Sequence, residues 1–132
     1  MGSNPIGAIS MKFNPNLKKD LQKYQDYVII VEGKKDVAAL EALGFERVYA
    51  IHQTSVSLRE MVEKISEVVG KKDRVCILTD LDKKGKQLYL LLKKEFSERG
   101  VKLDSSLRGI LIKAQVSHIE GLDSFMSKID KI

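Results

Sequence analysis

Two stretches of this chain end an uncharged apolar run in acid: residues 28–33 read VIIVEG, and residues 75–85 read VCILTDLDKKG. A run of Val, Ile and Leu with no polar alternation does not suit a strand with one wet face. It suits the interior of a parallel sheet covered on both sides. The residue at the carboxyl end of such a strand stands at the rim, where open α/β sheets bind their ligands. Two of these strands side by side bring Glu32, Asp80 and Asp82 together. Three carboxylates at one point repel one another unless a cation joins them, and hard oxygen donors suit Mg²⁺.

The surrounding segments keep one rhythm. Asn16 is placed to cap a short helix through about Gln25, Tyr27–Val31 is a strand, and Lys35–Leu43 is a helix stopped by Gly44. Arg47–Ile51 is a second strand, followed by the polar loop His52–Val56. Ser57 and Glu60 form a capping box for a helix to about Val69, with Met61, Ile65, Val68 and Val69 facing inward. Arg74–Thr79 is the third strand. Lys83 or Lys84 to Arg99 is a long helix, apolar at Leu88, Leu91, Leu92 and Phe96. Beyond Gly100 the pattern weakens to a helix at Leu107–Lys113, a short strand at Gln115–Ile119 and a closing helix at Leu122–Ile129. Strand alternating with helix predicts an α/β fold with a mainly parallel sheet, right-handed crossovers and helices on both faces. The first strand is expected between the other two, so that the acids meet.

At 132 residues the chain is expected to form one domain over residues 16–132. Residues 1–15 hold both prolines and no clear apolar period, and are expected to be a flexible tail. No apolar run approaches the roughly 20 residues of a membrane helix, and the first residues lack the form of a signal peptide. A cytoplasmic protein with no membrane partner is the expectation. The single cysteine, Cys76, allows no internal disulfide, and with only His52 and His118 a structural zinc site is not expected. Its 23 basic and 18 acidic residues give a net charge of +5, which suits a protein that holds Mg²⁺ while attracting a polyanion. Lys34, Lys35, Lys83, Lys84 and Lys86 directly follow the acids and are expected to hold substrate phosphates. Arg59 and Arg108 are expected in helix-surface salt bridges, and His52 in a surface loop. His118–Glu120 would approach the rim if Gln115–Ile119 joined the sheet edge.

Glu32-Gly33 after one apolar strand, and Asp80-x-Asp82-x-x-Gly85 after another, resemble the two signature motifs of the Toprim domain. That domain occurs in topoisomerases, bacterial primases, recombination proteins of the RecR type, old-family nucleases and a nuclease that matures 5S ribosomal RNA. The resemblance covers the core from Tyr27 to Val101. Its LTD-x-D-x-x-G phrase is close to that of small stand-alone archaeal Toprim proteins, and SHIEGL at Ser117–Leu122 is similar to the tail of that group. The resemblance implies a three-layer Rossmann-like domain binding Mg²⁺, with Mn²⁺ as a substitute. It implies Glu32 as general acid/base and metal ligand, Asp80 as catalytic metal ligand, and Asp82 as metal ligand. Gly33 and Gly85 match the glycines of close backbone approach, and Asp36 matches an acid one helical turn past the glutamate. Leu81, Lys83 and Lys84 depart from the usual pattern, which bears on substrate more than on metal.

The expected function is Mg²⁺-dependent phosphodiester chemistry on RNA or DNA, as a small nuclease, because hydrolysis needs only metal, activated water and a basic surface. A topoisomerase needs a nucleophilic tyrosine domain and a strand gate, and a primase needs template- and nucleotide-binding modules. The alternative is a non-catalytic nucleic-acid-binding or assembly subunit with a structural Mg²⁺ site. A phosphoacceptor receiver domain also gathers acids at a sheet rim, but it carries its acid pair after the first strand rather than the third.

Overall fold

A computed structural model describes residues 16–114, 116 and 118–122. The expected tail at 1–15 and nearly all of the expected closing helix lie outside these residues. Three strands, β1 (Val28–Val31), β2 (Arg47–Ala50) and β3 (Val75–Ile77), form a parallel sheet in the order β2-β1-β3. The register pairs Ile30 with Tyr49 on one side and with Ile77 on the other. The central strand is therefore the one ending in Glu32, with the aspartate strand as its neighbour. Parallel strands need long crossovers, and helices supply them.

The expected helices are α1 (Leu17–Gln22), α2 (Lys34–Ala42), α3 (Leu58–Val68), α4 (Lys83–Glu98) and α5 (Ser106–Lys113). Successive residues of a strand point to opposite faces, and β1 is buried on both. Ile29 and Val31 pack with Cys76, Leu78, Leu17, Leu40, Leu107 and Leu111, the layer of α1, α2 and α5. Val28 and Ile30 pack with Val75, Ile77, Val62, Ile65, Leu92 and Phe96, the layer of α3 and α4. This is the three-layer α/β architecture that the unbroken apolar runs require. Burial pushes the thiol of Cys76 up to about 12, so it is an inert core group.

Local chemistry sets the helix ends. Ser57 Oγ accepts the Glu60 N–H at 3.1 Å, the N-cap half of the expected capping box, and the Glu60 side chain returns to the Ser57 hydroxyl, Oγ donating to Oε1 at 3.1 Å. Gly44 closes α2 at φ +96°, and Gln25 Nε2 donates to the Leu43 carbonyl at 3.1 Å. Asn16 precedes α1 without a side-chain capping bond, and that helix stops at Gln22 rather than Gln25.

Three expectations need correction. In α3 the buried face is Met61, Val62 and Ile65, while Val68 is 58% exposed in the last turn. In α4 Leu92 and Phe96 are buried but Leu91 is exposed. Residues 116 and 118 are not in a strand, and Ile119–Gly121 forms a single 3₁₀ turn packed against α2. The backbone N–H of Ile119 is taken by a side chain, Asp80 Oδ1 at 3.0 Å, instead of by a strand neighbour.

Candidate metal centre

Parallel pairing runs past the named strands to the rim. Ile51 N–H donates to the Val31 carbonyl at 2.8 Å, His52 N–H to the Glu32 carbonyl at 2.9 Å, and Leu78 N–H to the Ile30 carbonyl at 2.7 Å. These bonds fix the three chain ends relative to one another. The Glu32 side chain then crosses to the neighbouring strand, where its Oε2 accepts the Asp80 N–H at 2.8 Å. Glu32 and Asp80 are thus joined directly.

Asp80 Oδ1 is oriented by the Ile119 N–H. Asp82 is the N-cap of α4, its Oδ1 accepting the Gly85 N–H at 2.8 Å while its Oδ2 lies 3.5 Å from His118 Nε2. Donor atoms of Asp80, Asp82 and His118 all lie within 4.8 Å of one another. Asp36 is the buried acid of the group, and its Oδ2 accepts the Gly33 N–H at 3.0 Å. Burial pushes the Asp36 carboxyl above the usual carboxylate range against that bond, and the charges of Asp80, Glu32 and Glu120 push it the same way. A donor set with clustered carboxylates fits a hard divalent cation, and Asp80 and Asp82 are the acids of the group that lies within 4.8 Å.

A cleft of about 800 Å³ opens over this rim. Glu32, Asp36, Asp80 and Glu120 supply its carboxylates, Lys34 and Lys35 stand on one side, and His52, Gln53 and Thr54 belong to the turn after β2. The five expected phosphate-holding lysines therefore divide. Lys34 and Lys35 line the cleft, while Lys83, Lys84 and Lys86 are exposed on the first turns of α4 beside Asp82.

The two glycines differ. A Cβ on Gly33 would meet nothing within 4 Å, so any requirement for glycine there comes from what enters the cleft. A Cβ on Gly85 would collide with the main chain of Asp80. Gly85 also accepts a 2.7 Å hydrogen bond from Thr79 Oγ1 on its carbonyl. Close approach at Gly85 is thus part of how the aspartate loop is built.

The sequence reasoning missed Arg108, expected on a helix surface and found 4% exposed. Its Nη1 donates to the Thr79 carbonyl at 2.8 Å and to Thr79 Oγ1 at 3.1 Å, its Nη2 donates to the Asp80 carbonyl at 3.2 Å, and its guanidinium lies 4.3 Å from the Tyr89 ring centre. Burial lowers its pKa, while Tyr89, Glu32 and Asp80 oppose that effect. One signal was available, because Arg108 sits between Leu107 and Leu111 on the apolar side of α5. Arg108→Met keeps much of the volume but leaves the Thr79 and Asp80 carbonyls unpaired. A loss of about 2 kcal/mol in urea unfolding is expected. Arg59, whose side chain is 74% exposed beside Glu95 at 4.0 Å, should tolerate the same change within about 0.5 kcal/mol.

The family model of the Toprim domain matches residues 26–105. The chain belongs to the Toprim family. Its similar proteins include a UPF0292 protein of Methanocaldococcus jannaschii, 34% identical over 104 residues that span 78% of each chain. A UPF0292 protein of Methanosarcina barkeri is 30% identical across 86% of this chain and 80% of its own. Among solved structures, a putative protein from Aquifex aeolicus superposes with a TM-score of 0.65 at 30% identity, covering 80% of this chain and 94% of that one. Toprim domains generally bind Mg²⁺ and typically act on nucleic acids, and this Toprim chain places an acidic cluster at the expected sheet edge. Among the described residues no helix is long and apolar enough to cross a membrane.

Proposed function

We propose that this Toprim protein is a divalent-metal-dependent nuclease that hydrolyses phosphodiester bonds of RNA or DNA at the cleft over Glu32 and Asp80. The observation that carries the reading is the Glu32 carboxylate held on the Asp80 N–H within an acid-floored cleft flanked by lysines. Glu32, Asp80 and Asp82 are the residues that would hold Mg²⁺ or Mn²⁺. Such an ion, when bound, stabilises charge on phosphoryl oxygens and makes water more acidic.

The chain's own groups would do the rest. Lys34 and Lys35 bind phosphates flanking the scissile one and orient it against the acids. Glu32 accepts a proton from water as its oxygen attacks phosphorus. The bond from phosphorus to the leaving sugar oxygen breaks, and that oxygen takes a proton from solvent water as it departs, while Glu32 later returns its proton to solvent. Arg108 keeps the Asp80 main chain in place from beneath. Lys83, Lys84 and Lys86 extend the positive field outward and lengthen the backbone footprint.

The test is a cleavage screen over single- and double-stranded RNA and DNA with Mg²⁺ or Mn²⁺, paired with binding measurements. Cleavage that requires metal is expected. Replacing Lys83, Lys84 and Lys86 together by Ala should weaken binding of all sequences alike, by about tenfold at 0.1 M salt, and should flatten the salt dependence. Metal-dependent binding without cleavage on any substrate would replace the nuclease by a binding or assembly subunit. Unchanged affinity in the triple variant would place the substrate elsewhere.

A further inference from the structure

We propose that His118 is a ligand of the cation held by Asp80 and Asp82, and that this mixed nitrogen–oxygen site prefers Mn²⁺-type first-row transition metals to Mg²⁺. The inference rests on the reading that the acidic cluster holds a divalent cation, and it adds a donor of different chemistry. His118 Nε2 and one oxygen from each aspartate lie within 4.8 Å of one another, and His118 Nε2 is 3.5 Å from Asp82 Oδ2. Donors bound to one ion at roughly 2.1 Å lie about 3 Å apart when adjacent and about 4.2 Å apart when opposite, so movements of about an ångström by each exposed side chain assemble the three. Side chains as open to solvent as those of His118 and Asp82, at 56% and 43% exposed, can make that movement without disturbing the core.

The support around the three donors is independent of their proximity. Asp80 Oδ1 accepts the N–H of Ile119, the residue after His118, so the same bond that orients one donor delivers the other. Asp82 Oδ1 accepts the Gly85 N–H, leaving Oδ2 as the oxygen turned toward His118. The Ile119 side chain is fully buried in the core, which anchors this segment from the other side. Carboxylates held by hydrogen bonds through one oxygen and presented through the other are the usual support of a metal site. An imidazole changes which metal is held. Mg²⁺ favours oxygen and keeps its waters, whereas nitrogen donors strengthen binding of first-row transition ions.

The test loads the full chain with Mn²⁺ and reads imidazole nitrogen coupling by pulsed electron paramagnetic resonance. Mg²⁺ and Mn²⁺ affinities are measured beside it by calorimetry. The chain has only two histidines, so the assignment is clean. The coupling should be present in the parent and in His52→Gln, and absent in His118→Gln. His118→Gln should also lose about tenfold in Mn²⁺ affinity but less than about threefold in Mg²⁺ affinity. Coupling absent from a parent that binds Mn²⁺, or unchanged in His118→Gln, overturns the proposal and leaves His118 as a neighbour of Asp82 beside an all-oxygen site. A parent that binds neither metal overturns this proposal together with the cation reading beneath it.

Discussion

Gly85→Ala is expected to lower Tm by about 10 °C, the equivalent of about 3 kcal/mol, and to take most of the metal affinity with it. The added methyl would fall on the Asp80 carbonyl group and within 2.9 Å of its Cα. Main chain cannot rotate aside as a long side chain can, so either the start of α4 or the Asp80 turn must move. Both are tied to the same residue: Asp82 Oδ1 accepts the Gly85 N–H, and Thr79 Oγ1 donates to the Gly85 carbonyl. Displacing Asp80 also pulls its N–H from Glu32 and its carbonyl from Arg108. Gly33→Ala is the control, because its φ of −145° suits any residue and its Cβ meets nothing within 4 Å. Circular-dichroism melting and Mn²⁺ calorimetry check the pair. A Gly85→Ala protein melting within about 2 °C of the parent would show that the turn yields more readily than these contacts imply.

What could be read from the sequence was whatever depends on local pattern. The acid-ended apolar runs marked β1 and β3 as strands buried on both faces, and the sheet order β2-β1-β3 puts Glu32 and Asp80 at one rim as expected. Ser57 and Gly44 announced their helix ends by chemistry confined to four residues. What was hidden depends on contacts between distant segments. Nothing near Ile119 reveals that its N–H will meet a carboxylate 39 residues away, and without that bond the stretch before it resembles a strand. Asp82, directly before the helix, could be suspected as a ligand or as the cap of α4, but not as a cap facing a histidine. Arg108 reads as a surface residue because most arginines are at the surface. A guanidinium accepted into the core needs its hydrogen bonds supplied by the fold, here by Thr79 and Asp80.

Glu32→Gln is expected to reduce cleavage by about a hundredfold to ten-thousandfold at saturating Mn²⁺, the range lost with a positioned acid or base. Nucleic-acid affinity should stay within about threefold of the parent, since the lysines that meet phosphate are untouched and, at saturating Mn²⁺, Asp80 and Asp82 would still hold the ion. The substitution separates two roles that geometry combines in one side chain. Glu32 Oε2 accepts the Asp80 N–H at 2.8 Å, and the glutamine carbonyl oxygen can accept the same bond. A purely structural Glu32 would therefore be replaced at little cost to the site. Glutamine lacks the charge and the basicity, so a role in taking a proton from water would be lost. Thermal melting without metal should remain near that of the parent, which excludes collapse of the rim as the cause. Single-turnover cleavage and binding at the same Mn²⁺ concentration make the comparison. Retained cleavage with retained stability would move the base away from Glu32, and Glu120 and Asp36 in the same cleft would be the next carboxylates to replace.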